Sequence, residues 1–198
     1  MFLRTDANAF PSPAGAQVGS ATRAAMRAGN LPHRASFVFL HNSAGKLFVQ
    51  QRVAWKETYP SHHDPAPVRR TVFALRSAAG GLLTRRVRPV QGGVVDAGES
   101  YEANAEREVE EEMGVSGVPL TPLFDFFFQD GVSRVWGRAF RAVYDGPLRL
   151  QASEVAGGTW LELAEVAALV EAGPVCPDSA AAFREYARRI AAGDLALP

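Results

Sequence analysis

Two short runs of apolar, β-prone residues stand close together early in the chain, Ser36–His41 (SFVFLH) and Lys46–Gln51 (KLFVQQ). Asn42–Gly45 between them has turn chemistry, so the pattern predicts a hairpin. Gly93–Val95 predicts a short strand entering a loop at Asp96–Gly98. Ser100–Met113 predicts a helix: Ala105, Val109 and Met113 recur at i, i+4 and i+8, Ser100 is a capping residue and Gly114 a stop. A second hairpin follows, Leu123–Phe128 and Arg134–Tyr144 about a turn at Asp130–Gly131. Thr159–Leu161 predicts a short strand. Leu163–Glu171 and Asp178–Ala192 predict helices, the latter capped by Asp178 or Ser179. Residues 7–21, rich in Ala, Gly, Ser and Pro, predict loop. Strands interleaved with helices, and partly joined by hairpins, imply an α/β layered fold around a mixed sheet.

Bulk properties narrow the class. The 198 residues suit one domain with a full core, expected over residues 17–192 between a poorly ordered extension (1–16) and a short tail (193–198). No apolar run approaches the roughly 20 residues that span a bilayer, so no membrane partner is expected. Twenty-one basic and 21 acidic residues cancel, which gives no bias toward a nucleic-acid polymer. The single cysteine, Cys176, excludes an intrachain disulfide, is expected to be inert and fits a reducing compartment. Residues 1–30 lack the apolar centre of a secretory signal. The cytoplasm is the expected compartment; an organellar transit peptide is the alternative, because Asp6 is the only acid there. A homodimer is compatible with these features but not specified by them.

The densest polar feature lies on the predicted helix, Glu106-Arg107-Glu108-Val109-Glu110-Glu111-Glu112. Glu108, Glu111 and Glu112 fall at i, i+3 and i+4 and share one face. Like charges so spaced disfavour an isolated helix by a few tenths of a kcal/mol per pair, roughly. Arg107 can offset part of this by reaching Glu111 at i+4. The remainder calls for a counter-cation, and clustered hard oxygens suit Mg²⁺ or Mn²⁺ rather than Zn²⁺. Mg²⁺ commonly shares its shell with substrate phosphate oxygens, which makes a phosphate ester or anhydride the natural substrate.

The spacing around these acids is specific. Gly93, five residues, Glu99, seven residues, Arg107-Glu108-Val109, one residue, Glu111-Glu112, one residue, Gly114-Val115 resembles the signature of the Nudix hydrolase superfamily at every fixed position. Seven such identities arise by chance roughly once in 10⁸ starting points. The resemblance implies a Nudix α/β/α sandwich and an enzyme that hydrolyses a diphosphate bond in a nucleoside-diphosphate-linked or similar small molecule. It implies that Glu108, Glu111 and Glu112 hold the metal ions, one of them also able to take a proton from water. The Gly92 carbonyl resembles a further metal ligand. Glu99 and Arg107 resemble supporting residues, Arg107 orienting the glutamates. A non-catalytic binding module is the contrasting class, but such modules typically lose box glutamates, and all are kept here.

Likeness extends beyond the box. Residues 31–42 (LPHRASFVFLHN), Val49–Arg52, Lys56 with Tyr59-Pro60, Asp130 with Arg134–Gly137, and Glu154-Val155 with Trp160-Leu161 are similar to the Nudix subgroup related to type 1 isopentenyl-diphosphate isomerase. An isomerase needs a cysteine after Tyr59 and a glutamate just after Trp136-Gly137. This chain has neither; Arg138-Ala139-Phe140 follows the Trp-Gly pair. The likeness therefore favours hydrolase relatives, with isomerase-like activity the alternative.

Arg52 and Lys56 are candidate diphosphate contacts, weighed against a solvated basic pair. His33 resembles an isomerase metal ligand, but without its partners a structural role is expected. His62 and His63 are expected to be surface loop residues, and Glu154 a loop acid or an extra ligand. Among Phe124, Phe126, Phe127 and Phe128, alternation assigns some to the core rather than to stacking on a nucleobase.

Residues 68–91 do not fit this pattern. They hold six arginines and no acid, and Asp64–Pro67 would join Gly92-Gly93 smoothly without them. Removing six of the 21 basic residues leaves 15 against 21 acidic ones, a net charge of −6. One hypothesis is a translated intron, in frame at 72 nucleotides for the 24 residues, since Val68 can begin with GT and Gln91 can end in AG. The other is an arginine-rich loop over the site, which slow growth of closure entropy with length permits. Mature messages that uniformly retain those nucleotides would exclude the intron.

Overall fold

The computed structural model describes residues 7–11, 17–54, 63–64, 94–172 and 175–198. Along the chain these form β1 (Ala7–Pro11), β2 (Gln17–Thr22), α1 (Arg23–Ala28), β3 (His33–His41), β4 (Leu47–Arg52), β5 (His63–Asp64), α2 (Tyr101–Met113), β6 (Thr121–Gln129), β7 (Arg134–Val143), β8 (Val155–Leu161), α3 (Leu163–Ala172) and α4 (Pro177–Ala191).

The main sheet runs β5-β4-β3-β7-β6, with β8 also paired to β4. Of its described pairings only β3 with β7 is parallel. Period-two alternation along β3 sends its side chains to two cores. Ala35, Phe37 and Phe39 pack with Val166 and Val170 of α3 and Ala182, Phe183 and Tyr186 of α4. Val38 and Leu40 pack on the other side with Ala105, Val109 and Met113, the stripe of α2. Helices thus cover both faces, as the α/β/α sandwich requires. Gly137 of the Trp-Gly pair serves this packing, since a Cβ there would strike the rings of Phe126 and Phe37.

Several local expectations change. The first hairpin exists only at its mouth, where His41 pairs Leu47. The Asn42–Gly45 turn fixes those ends, but β3 then runs in register with β7 from His33↔Val135 to His41↔Val143, and β4 runs with β8 from Leu47↔Leu161. Residues 7–21 are not all loop: β1 and β2 form a separate antiparallel ribbon. Pairing is a backbone interaction, and a segment of small residues can enter it without an alternating pattern to announce it. Helix α1 was likewise unannounced; the Thr22 hydroxyl caps it by accepting from Ala25 N at 3.2 Å. Thr159–Leu161 is the end of a longer strand whose start is masked by Gly157-Gly158. Helix α4 is not capped by Asp178 or Ser179. Its N-cap is Cys176, with no side-chain bond, and Pro177 opens the helix, where its missing N–H costs nothing. His63 lies in β5 rather than in a loop. His62 and residues 68–91 lie outside the described residues. No helix among the described residues is long and apolar enough to cross a membrane.

His41 is fully buried between the sheet and α4. Its Nδ1 lies 3.1 Å from the Gly45 carbonyl and its Nε2 3.0 Å from the Tyr186 hydroxyl. A carbonyl only accepts, so Nδ1 carries the proton and Nε2 accepts from Tyr186. Burial lowers the His41 pKa below its ordinary 6.5, with the Gly45 carbonyl opposing and Arg141 adding to the shift. An unfolded chain therefore binds a proton that the folded chain refuses. The stability contribution is complete above about pH 6.5 and is lost as pH falls toward the lowered folded value. Urea unfolding at about pH 7.5 and 5.5 is expected to show a smaller acid loss for His41→Gln than for wild type; equal losses would remove His41 from this role.

Candidate functional site

Helix α2 presents the site, and its ends are fixed locally. The Ser100 hydroxyl accepts from Ala103 N at 3.1 Å. Gly114 at φ 67° closes the other end. There the Gly114 N–H donates to Glu110 O at 2.9 Å, the five-to-one bond of an αL stop, and the Val115 N–H points back to Val109 O at 3.4 Å. Gly114 is also needed for space, because a Cβ would lie 2.8 Å from Arg149 Cβ. The 149–151 loop packs on this end, Arg149 N donating to Met113 O and Gln151 N to Glu112 O.

Beside the apolar stripe runs a second buried stripe, Asn104, Glu108 and Glu112, one helical turn apart. Glu108 is 5% exposed and Glu112 1%, whereas the Glu111 side chain is 31% exposed. Burying carboxylates so closely spaced is costly, and charged partners offset it. Arg107 is that partner. Its Nε and Nη2 grip Glu99 Oε1 and Oε2 at 3.0 and 3.1 Å. Its Nη1 lies 2.5 Å from Glu108 Oε1 and 3.8 Å from Glu111 Oε2. The sequence pairing of Arg107 with Glu111 is therefore present but is its weakest contact. Glu99 is held further by Asp96 N at 3.1 Å and Asn104 Nδ2 at 3.0 Å. Burial pushes the Glu99 carboxyl up, but Arg107, Asn104 and the Asp96 N–H together carry it below its ordinary value. Burial likewise opposes the Arg107 charge, and Glu99 and Glu108 outweigh it. From β4, Gln50 Nε2 approaches Glu112 Oε2 at 3.4 Å, a long contact.

The site thus gathers Glu99, Arg107, Glu108, Glu111 and Glu112. Arg52 is 6% exposed near the end of β4, so it is not one of a solvated basic pair. Lys56, Gly92 and Gly93 lie outside the described residues. Glu154 lies in the turn before β8, as a loop acid, but is only 1% exposed; its N–H donates to Gln151 O and its carbonyl accepts from Val53 N. His33 is buried at the start of β3, with Nδ1 3.4 Å from Leu31 O. Phe124 and Phe126 turn to the core, Phe126 edge-on to Phe37, while the half-exposed Phe127 lies against Trp136 at 4.7 Å. Cys176 is buried. Ser36, Gln50 and Asn104 went unnoticed in the sequence. Asn104 could have been found, since a polar residue four before Glu108 and eight before Glu112 extends the same stripe.

Oxygen donors of this kind suit a hard divalent ion. Among the described residues, no three His, Cys, Asp or Glu side chains converge into a group that could hold an ion unaided. That is compatible with Mg²⁺, which keeps waters and substrate oxygens in its shell and seldom uses an all-protein cage.

A model of the NUDIX domain family matches residues 31–176, and the chain belongs to the Nudix hydrolase family. It is 36% identical over 169 residues to an uncharacterized Nudix hydrolase of Pseudomonas aeruginosa, covering 85% of this chain and 86% of that protein. It is 35% identical over 172 residues to the uncharacterized Nudix hydrolase YfcD of Shigella flexneri, covering 87% and 81%. The crystal structure of a Deinococcus radiodurans protein is similar with a TM-score of 0.67 and 25% identity, over 90% of this chain and 98% of that one.

Proposed function

We propose that this enzyme hydrolyses a diphosphate bond in a nucleoside-diphosphate-linked or similar small molecule, using Mg²⁺ or Mn²⁺. The observation that carries this is the buried acidic stripe of α2, clasped by Arg107 and Glu99 beside a half-exposed Glu111. Glu108, Glu111 and Glu112, with the Gly92 carbonyl, would hold the ions. When bound, divalent ions would supply charge neutralisation for the diphosphate and make a water more acidic. One of the three glutamates would serve as the base that takes a proton from the attacking water. Arg107 keeps Glu108 and Glu111 aimed, and Glu99 keeps Arg107 in place. Arg52 and Lys56 are the proposed diphosphate contacts. The small-molecule substrate is the only partner this requires; a homodimer and a cytoplasmic location are compatible with it.

Within the family we assign the chain to the subgroup related to type 1 isopentenyl-diphosphate isomerase, but as a hydrolase. At the position after Trp136-Gly137, where an isomerase carries an acid, Arg138 is committed to Asp125 at 2.6 Å and Glu102 at 3.1 Å. A cation so engaged does not replace a proton-transferring carboxylate.

A panel of nucleotide sugars, ADP-ribose, dinucleotides, coenzyme A and prenyl diphosphates tests this by phosphorus NMR. With Mg²⁺ or Mn²⁺ at least one compound is expected to be split at its diphosphate, and excess chelator is expected to stop it. Turnover indifferent to chelator, or isomerised prenyl diphosphate without hydrolysis, would sink the reading.

A further inference from the structure

We infer that Asn104 is a positioning residue for the metal-holding glutamates, acting through Glu99 and Arg107; this rests on the proposed role of Glu108, Glu111 and Glu112. Asn104 is fully buried and occupies a variable position of the box. Its Nδ2 donates to Val94 O at 3.2 Å and to Glu99 Oε2 at 3.0 Å, and its Oδ1 accepts from Ser36 Oγ. The first two partners only accept, so the amide has one orientation, and the Ser36 hydroxyl is left to donate. One side chain therefore joins strand β3, the 94–99 loop and helix α2.

The consequence reaches the acids by a short path. Glu99 Oε2 is fixed by Asp96 N, Asn104 and Arg107 together. Without Asn104 that carboxylate can turn, and the planar fork of Arg107 loses a fixed partner. Arg107 is the group that touches both Glu108 and Glu111. The helix itself does not need an asparagine here, because alanine is the better helix former. A purely local role would therefore be met by Asn104→Ala.

Mn²⁺ binding to the full chain, read by electron paramagnetic resonance of the free ion, tests the inference. Asn104→Ala is expected to weaken binding about tenfold, as loss of a group that orients ligands commonly does. Asn104→Asp is expected to weaken it at least as much, since it cannot donate and sets a second carboxylate against Glu99. In the background of Glu99→Ala, Asn104→Ala is expected to add little, because the path is already cut. Wild-type affinity in Asn104→Ala, or a full additional loss in the double variant, would overturn the inference. Should Asn104→Ala fail to fold, Asn104→Ser is judged by the same two outcomes. Glu111→Gln separates the two layers: if it binds Mn²⁺ like wild type, the metal-site reading fails, and if it alone loses binding, only the Asn104 path fails.

Discussion

Glu112→Gln is expected to lower kcat about a thousandfold, the range in which loss of a positioned base or metal-holding carboxylate falls, while the chain stays folded. Glutamine matches the volume of glutamate, so the fully buried position at the end of the stripe is not emptied. It can also keep a contact with Gln50 by turning its amide. What it loses is a charge that shares a helix face with Glu108, four residues earlier. Relief of that like-charge spacing is worth a few tenths of a kcal/mol, roughly, so the informative quantity is the rise in melting temperature that Mg²⁺ brings to each chain. Added Mg²⁺ should then separate the two. Wild type gains stability by binding the ion in its folded state, and the variant gains less. Thermal melts with and without Mg²⁺, beside turnover of whichever diphosphate the panel identifies, read both effects. Unchanged hydrolysis by the variant would overturn the site assignment.

Removing Arg107 is expected to act on stability and activity together. Arg107→Met keeps an apolar stem of similar reach and deletes the guanidinium. The Glu99 side chain, 18% exposed, then loses a two-pronged partner, and the buried Glu108 side chain loses its contact at Oε1. Breaking a buried pair in this way costs about 3–5 kcal/mol; the partial exposure of the pair here lowers the expectation to about 2 kcal/mol. Arg107→Lys is not expected to restore it, because a single ammonium cannot span both Glu99 oxygens. Activity should fall between about tenfold and a hundredfold through misaimed glutamates. Urea midpoints and kcat of both variants check this. An Arg107→Met chain as stable as wild type would mean that the clasp does not hold the helix and loop together.

The difference between these two substitutions follows from where each residue's partners lie, and the same division governs what could be seen in the sequence. Glu108, Glu111 and Glu112 were visible because helical spacing alone brings them to one face, and the cap at Ser100 and stop at Gly114 are equally local. The pairing of Arg107 with Glu111 was visible for the same reason, yet it proved the longest of the Arg107 contacts. The stronger grip on Glu99 crosses from helix to loop, and no helical periodicity describes it. Asn104 depends on Ser36, which is 68 residues away in sequence. Strand β4 found β8 more than a hundred residues on, where a hairpin pattern pointed only to β3.

By itself, then, the sequence determined the family, through fixed spacings along one continuous segment from Gly93 to Val115, and the helix α2 with the three carboxylates that share its face, through spacings of about one helical turn. Only the tertiary structure decided how exposed those carboxylates are and what holds them: Glu108 and Glu112 buried, Glu111 partly exposed, and Arg107 turned back to Glu99. Burial and orientation are set by which distant strands and loops pack on the helix, and such contacts leave no periodic trace in the residues that make them.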